Sequence, residues 1–334
     1  MQYSWIWLTV LAALMQAVRT AAQKRLNAHM TAAATTYVRA VFGLPIMVAW
    51  LLAVLVWVEP RWPQPTANFL VMALAGAVTQ VLATVTLIVL FQKRSFASAT
   101  ALTKADTILT ALIGWLAFSE QYSAPGIVAL AVVFCGVAIV MLPQAAAATT
   151  AASTAADSAP RTVATSRHDV LTRLANISPV ANHMRRSIDS PAMLAFLVAL
   201  LFSLSYQFIR EATLALAPGP SLWRGAWTVV VVTGLQLAGL SIWFAVRRER
   251  AIMAGIVREW RLATFVGVTS AIGSIAWFAA FALENAAYVR AVGQIEMAFT
   301  MLISAFYFRE RLRHAELAGI AVIVLGVVMF RLAG

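Results

Sequence analysis

The sequence carries little charge for its length. Charged side chains make up 11% of its 334 residues, whereas soluble domains carry about 25%. Hydrophobic residues make up 62%, and the mean hydropathy is +0.83. A folded soluble domain presents a largely mixed surface to water, so no soluble fold of this size could hide so much apolar surface. The apolar residues must therefore face lipid or one another.

Cysteine and histidine are also scarce. Cys135 is the only cysteine, which excludes an intramolecular disulfide framework. The four histidines fall in separate connecting segments and form no cluster: His29, His168, His183 and His314. The chain shows no nucleophile–base pair, no phosphate-binding glycine loop and no nucleotide-binding domain. We therefore expect no enzyme activity, metal or cofactor, and no ATP-driven transport by this chain alone.

Long apolar runs dominate what remains. A helix needs about 20 mostly apolar residues to cross a bilayer. Ten segments meet this test, at about 4–22, 34–58, 67–91, 96–118, 124–142, 192–214, 222–246, 262–282, 286–308 and 315–332. They must be helical, because unpaired backbone groups are too costly in hydrocarbon. The sequence thus predicts an all-α integral membrane protein with ten transmembrane helices, and the first segment is not expected to be a cleaved signal peptide.

The distribution of basic residues predicts an orientation. The stretch 143–191 combines an alanine tract with five arginines, which favours a flexible polar linker with a short surface helix near 168–186. Seventeen Lys and Arg residues fall on the side of this linker, against Arg61 and Arg331 on the other. The positive-inside rule places the linker in the cytoplasm and both termini outside, in a bacterial cytoplasmic (inner) membrane. The formal charge of +12 predicts no nucleic-acid partner, since no soluble basic domain exists to bind one.

An internal repeat relates the two halves of the chain, which we divide into 1–142, the linker 143–191, and 192–334. Shifts of 185 to 191 positions align Asp106 with Glu296, Glu120 with Glu310, Gly136 with Gly326, Gln16 with Gln207, Arg19 with Arg210, and Arg39 with Arg224. Each half has five helices, an odd number, so the second half must be inverted relative to the first. Inverted repeats are typical of secondary transporters, whose substrate binds near the midplane between the halves.

The end of each half carries a family resemblance. An apolar helix leads to "FSEQYSAPG" in the first half and to "FRERLRHAELAG" in the second, and a helix with a late glycine follows. With the openings "QAVRTAAQKRL" and "YVRAVFGLP", these phrases resemble the EamA domain of the drug/metabolite transporter superfamily. The resemblance covers essentially all ten helices. It implies two EamA repeats around a central cavity, peripheral fifth and tenth helices, and transport of small metabolites, often outward.

Ionisable residues inside the predicted helices are the first functional candidates, because each costs about 2.5–3.5 kcal/mol on insertion. Lys104, Asp106 and Glu296 lie too deep to reach the headgroups easily, so we place them on the transport path. Asp106 and Glu296 are candidates for coupling transport to protons. The alternative is a buried ion pair that fixes the packing of the fourth and ninth helices.

Arginines near the ends of the predicted helices form a second group. Arg19 and Arg39 lie near the cytoplasmic ends of the first two helices, and the repeat places Arg210 and Arg224 at the opposite mouth. Two arginines at each mouth would attract anions, although each could instead snorkel to the headgroups. Arg290 lies nearer the start of the ninth helix.

Acidic residues near helix ends are assigned lesser roles. We expect Glu211 and Glu284 to be interfacial and Glu120 and Glu310 to be structural. Polar and aromatic residues complete the predicted cavity: Gln80, Thr103, Thr107, Tyr206, Trp277 and Gln294, with Thr84, Thr110 and Gln207 nearby. For these, helix–helix packing is the alternative role.

The intramembrane charges favour an anionic or zwitterionic solute, since six cations stand against four acids. The leading interpretation is a secondary transporter, and more specifically an exporter, that acts by alternating access, with coupling to protons as a candidate driving force. A proton-coupled exporter of cationic drugs or amines ranks second, and a flippase for a lipid-linked phosphate substrate third. The expected partners are the solute and the bilayer, with the chain acting as a monomer or a homodimer.

Overall fold

The computed structural model describes residues 3–26, 30, 32–93, 104–158, 191–247, 251–307 and 314–332, and every regular element within these ranges is a helix. In chain order the helices are α1 (Ser4–Leu26), α2 (Ala32–Trp57), α3 (Ala67–Lys93), α4 (Asp106–Ala117), α5 (Ala124–Ser158), α6 (Pro191–Leu214), α7 (Ser221–Arg247), α8 (Ala251–Arg258), α9 (Trp260–Phe281), α10 (Ala286–Gly293), α11 (Glu296–Tyr307) and α12 (His314–Leu332).

Eight of these helices are long and apolar enough to cross a membrane: α1, α2, α3, α5, α6, α7, α9 and α12. The apolar side chains of these helices could not otherwise avoid water, because residues such as Trp57, Val246 and Leu332 lie exposed on the protein surface. The chain is therefore a multi-pass membrane protein. The fourth and ninth predicted spans are not among the eight.

The ninth span is broken, which corrects the prediction of one continuous helix over 286–308. A turn at Gln294–Ile295 separates α10 from α11. In the fourth span, predicted over 96–118, the described residues begin with a turn at Lys104 and Ala105 before α4 starts at Asp106, and 94–103 lie outside the described residues. Hydropathy averaged over a whole span does not reveal such a break, because the span as a whole is apolar.

The two helices that start at this depth correspond in the repeat. α4 begins at Asp106 and α11 begins at Glu296, and each has 12 residues. An acidic residue in the first turn of a helix is stabilised by the positive end of the helix dipole. The structure thus begins a short helix with a carboxylate at the same register in both halves.

α5 is longer than predicted. It extends from Ala124 to Ser158, whereas the fifth span was expected to end at 142. Alanine has the highest helix propensity, so the alanine tract continues the helix. The prediction of a flexible linker from residue 143 is therefore wrong over 143–158, and the surface helix expected near 168–186 lies outside the described residues. The short helix α8 was not predicted.

The two halves pack through matching contacts. α3 packs against α6 as α1 packs against α9, and α4 packs against α6 as α1 packs against α11. The repeat exchanges the members of each pair of contacts. α10 lies at the centre, against α1 and α4, and all eight of its residues are buried.

α5 and α12 form a close pair through glycine. A Cβ atom added to Gly136 would lie 2.7 Å from the backbone nitrogen of Ile323 and 2.9 Å from the carbonyl oxygen of Gly319. Small residues allow membrane helices to approach this closely. α5 and α12 therefore hold each other together by backbone contact and leave the central helices to position the polar groups.

Candidate functional site

Two carboxylates stand at the starts of the short helices, and each meets a cation from the other half of the chain. Asp106 Oδ2 accepts a hydrogen bond from Arg290 Nη2 at 2.9 Å, and both side chains are 6% exposed. Glu296 Oε2 lies 3.8 Å from Lys104 Nζ and accepts a hydrogen bond from Gln16 Nε2 at 2.7 Å. Charge-assisted contacts of this kind are stronger than neutral hydrogen bonds. The two ion pairs thus join the two halves of the chain beside the starts of α4 and α11. We call these residues, with Arg19 and Arg39, the central cluster.

Arg290 is held by aromatic rings as well as by Asp106. Its guanidinium carbon lies 4.4 Å from the ring centre of Tyr206 and 5.2 Å from that of Trp277, within the range of cation–π attraction. Gly293 lets the indole ring come this close, because a Cβ atom there would lie 3.2 Å from Cζ3 of Trp277. The indole nitrogen donates in turn to Gln16 Oε1 at 3.3 Å.

The rings form one wall of the central cluster. Phe202, Tyr206, Phe281 and Trp277 stack in this order, with ring centres 6.0, 6.0 and 5.9 Å apart. These rings come from α6 and α9, so the wall joins two helices of the second half. A stacked wall beside a cation is a surface on which the apolar part of a solute can pack.

Hydroxyl and amide groups fix the start of α4. The backbone carbonyl of Asp106 accepts from Thr110 Oγ1 at 2.6 Å and from Ser203 Oγ of α6 at 2.8 Å. Gln294 Nε2 donates to Thr107 Oγ1 at 2.7 Å, while Gln294 Oε1 is buried with no hydrogen-bond partner. The start of α4 is thereby tied to the turn at Gln294 as well as to α6.

Arg19 and Arg39 add positive charge at the side of the linker. Arg19 interacts electrostatically with Glu296 and Tyr206, and Arg39 with Arg19. Within the described part of the chain, neither guanidinium has a carboxylate within 4.0 Å. The Nε atom of Arg19 is buried and has no hydrogen-bond partner.

A second polar cluster lies at the opposite end, and we call it the outer cluster. Glu120 Oε1 accepts from Arg210 Nε at 2.7 Å and from the backbone nitrogen of Ala286 at 3.2 Å. Its Oε2 accepts from Tyr122 at 2.7 Å and from Gln207 at 3.3 Å. Burial, together with the hydrogen bond to Glu120, raises the pKa of the Tyr122 hydroxyl, so this group stays a neutral donor.

The outer cluster connects three parts of the chain. Arg210 Nη2 donates to Asn285 Oδ1 at 2.7 Å, and Asn285 Nδ2 donates to the carbonyl of Gln121 at 3.1 Å. α6 is thus fastened both to the segment before α5 and to the segment before α10. Glu120, which was expected to be structural, thus pairs with Arg210.

The structure brings most of the predicted site residues together. Those in or against the central cluster are Arg19, Arg39, Lys104, Asp106, Thr107, Tyr206, Trp277, Arg290, Gln294 and Glu296. Arg210 instead belongs to the outer cluster, and Arg224 donates to the carbonyl of Ala282 at 3.0 Å. Gln80 pairs with Gln236 of α7. Thr103 lies outside the described residues.

Sequence reasoning missed Gln16, Ser203 and Asn285 as site residues. Gln16 was visible through its alignment with Gln207 in the repeat, since both positions carry a glutamine in helices that correspond. Nothing in the local sequence marks Ser203 or Asn285. The described residues include no group of three or more His, Cys, Asp or Glu side chains that could hold a metal ion.

Comparison with known proteins gives a fold and a family. One solved structure, described only as the crystal structure of a protein, superposes with a TM-score of 0.62 at 14% identity, over 99% of this chain and 98% of the other. At this identity the likeness shows the fold alone. No curated protein matches the sequence. The model of the EamA-like transporter family matches residues 3–142 and 189–332. This multi-pass membrane protein therefore belongs to the EamA-like transporter family.

Proposed function

We propose that the chain is a secondary transporter that moves a small anionic or zwitterionic metabolite by alternating access, in the export direction. Its ten spans form two inverted five-helix repeats, over 1–142 and 192–334, with the ninth span broken at Gln294–Ile295. The crossed pairs Asp106–Arg290 and Lys104–Glu296 support this arrangement, because each half supplies a carboxylate to the other half's cation.

The charge of the central cluster carries the proposal. Arg19, Arg39, Lys104 and Arg290 stand against Asp106 and Glu296, which leaves a formal excess of two positive charges. Excess charge away from bulk water is costly unless a partner offsets it. A solute with a negative group offsets this charge, whereas a cation would add to it. An exporter of cations fits less well, because both carboxylates already have cationic partners.

Helix geometry supports the same solute class. Discontinuous helices place positive dipole ends at the midplane of many transporters, where they favour anionic groups. α4 and α11 both begin beside the central cluster. The starts of these helices therefore add to the attraction for an anion and stabilise Asp106 and Glu296.

The outer cluster supports a conformation closed on the side away from the linker. It ties α6 to the segments before α5 and α10. With the linker in the cytoplasm of a bacterial cell and the termini outside, this closed side faces outward. The solute would then enter from the cytoplasm, past Arg19 and Arg39.

Glu296 is the better of the two candidates for proton coupling. Asp106 is held by Arg290 at 2.9 Å, whereas Glu296 lies 3.8 Å from Lys104 and its side chain is 14% exposed. A carboxylate with a looser ion pair and more contact with solvent exchanges its proton more readily.

A thermal-shift screen of the purified protein tests the proposal, because a ligand that binds the folded state raises its apparent stability. The panel contains succinate, phosphate, acetate, glutamate, glycine and choline. We expect anions or zwitterions to raise Tm and choline to have no effect. A Glu59→Gln variant serves as the control and should show the same ligand-dependent changes in Tm. Glu59 pairs with Arg61 on an exposed connection far from the cluster in sequence. Stabilisation by choline alone would overturn the proposal.

A further inference from the structure

Two arginines of the central cluster stand apart from its two ion pairs. Arg290 has Asp106 and Lys104 has Glu296, but Arg19 and Arg39 have no carboxylate within 4.0 Å among the described residues. The two guanidinium groups are close enough to repel each other electrostatically. Like charges held together disfavour each other, so a negative group beside this pair would be stabilised.

Arg19 lies among the groups of the central cluster. It interacts electrostatically with Glu296 and with Tyr206, whose ring lies under Arg290. A snorkelling arginine would extend away from such groups to the membrane surface. These surroundings therefore argue against a role of Arg19 in anchoring the helix.

The hydrogen-bonding state of Arg19 indicates an absent acceptor. A guanidinium has five N–H donors in a planar fork that matches the oxygens of a carboxylate or a phosphate. Its Nε is buried without a hydrogen-bond partner in the structure. Buried donors are nearly always satisfied, so each exception calls for a partner. An oxyanion beside Arg19 would supply one.

We propose that Arg19 and Arg39 together bind a doubly charged oxyanion, either two carboxylates on one solute or a phosphate monoester. This inference rests on the proposed transport function and narrows its substrate class. The excess of two positive charges in the central cluster matches a solute with two negative charges. The remainder of the solute faces Tyr206 and Trp277, the aromatic wall that also holds Arg290.

Calorimetric titration of the protein in detergent tests this inference with succinate and inorganic phosphate as dianionic probes and acetate as the monoanion. We expect a dianion to bind more tightly than acetate. Arg19→Gln and Arg39→Gln should each raise its Kd about tenfold to hundredfold, the loss expected for hydrogen bonds to a charged group. Arg61→Gln, on an exposed connection, should leave Kd unchanged. If Arg19→Gln does not fold, Arg39→Gln and Arg19→Lys carry the test.

A second arm separates a free solute from a lipid headgroup. The titration is repeated in phosphatidylcholine nanodiscs with and without phosphatidic acid. If phosphatidic acid competes with phosphate and the competition depends on Arg19, the site binds a lipid headgroup. If phosphatidic acid does not compete, the site binds a free solute. Both outcomes support the oxyanion site. Acetate binding as tightly as succinate and phosphate, or dianion binding unchanged in both variants, overturns the inference. In that case the proposed function stands if anions or zwitterions still stabilise the protein, and it fails separately if only choline does.

Discussion

At the residue scale, the central cluster is defined by which charges meet. The intramembrane positions of Asp106, Glu296, Lys104 and Arg290 were predictable from the sequence, because ionisable residues in apolar runs are rare and conspicuous. An ion pair between the fourth and ninth helices was also among the expectations, but which cation meets which carboxylate was not predictable. Lys104 and Asp106 are two positions apart, yet each pairs with the opposite half of the chain. Pairing depends on helix packing and on the break at Gln294, which local sequence does not encode.

The Asp106–Arg290 pair should be a strong contributor to stability. Asp106→Asn leaves a buried arginine without its carboxylate, and breaking a buried pair in this way costs about 3–5 kcal/mol. The double variant Asp106→Asn/Arg290→Gln removes the orphaned charge and should regain part of this loss. The measurement is the free energy of unfolding in micelles for both single variants and the double variant. A double variant no more stable than Asp106→Asn would show that the two side chains are not coupled.

Glu296 should carry the pH dependence of transport. Glu296→Gln keeps the hydrogen bond from Gln16 possible but removes the titrating group. We therefore expect uptake into vesicles that no longer changes over the pH range in which the wild-type protein responds. Gln16→Glu, which adds a carboxylate beside the same position, should shift the profile without abolishing it. An unaltered pH profile in Glu296→Gln would rule out Glu296 as the coupling group.

At the element scale, the helix breaks and the outer cluster organise the molecule. Ten apolar segments were predictable from hydropathy, and the alignment of Asp106 with Glu296 showed that the fourth and ninth correspond. The break that separates α10 from α11 was not predictable, because it lies inside a single, mostly apolar segment. The alanine tract after residue 142 shows the opposite error, since a composition typical of a linker was helical over 143–158.

The Glu120–Arg210 contact should hold the outer end of the protein closed. Glu120→Gln removes the charge that accepts from Arg210 and Ala286. A cysteine at Thr110, a buried position whose carbonyl accepts from Gln207, reports opening in a Cys135→Ser background. We expect a membrane-impermeant maleimide added outside to label this cysteine about tenfold faster in Glu120→Gln. A tenfold change corresponds to a loss of about 1.4 kcal/mol in the stability of the closed state relative to the open state.

The matched control for this measurement is Glu59→Gln, which breaks the exposed Glu59–Arg61 pair on the same side of the membrane. Labelling of the Thr110 cysteine should not change in that variant. Equal labelling rates in Glu120→Gln and in the parent protein would contradict a closing role for the outer cluster.

At the scale of the whole molecule, the duplication explains why the site lies where it does. The repeat relates the contact of α3 with α6 to the contact of α1 with α9. The central cluster lies where the two halves meet. The repeat and the family were readable from sequence because both rest on residue identity along the chain. The aromatic wall and the placement of Arg19 and Arg39 were not readable from sequence, because they depend on how α1, α2, α6 and α9 pack.

Orientation is a separate prediction at this scale. Cysteines introduced singly at Gln64 and Ser166, in a Cys135→Ser background, should react differently with an impermeant thiol reagent added to intact cells. The positive-inside rule predicts labelling at Gln64 and none at Ser166 until the membrane is opened. The reverse pattern would place the termini in the cytoplasm and the outer cluster on the inner face.

The most direct test of the account is the charge carried by the purified protein in liposomes on a solid-supported membrane. Concentration jumps of succinate, phosphate, glutamate and choline are applied to the wild-type protein, to Glu59→Gln and to Arg290→Gln, which removes the cation that pairs with Asp106. We expect currents with an anionic or zwitterionic solute in the first two proteins and their loss in Arg290→Gln. Currents driven by choline alone, or anion currents of equal size in Arg290→Gln, would contradict transport through the central cluster.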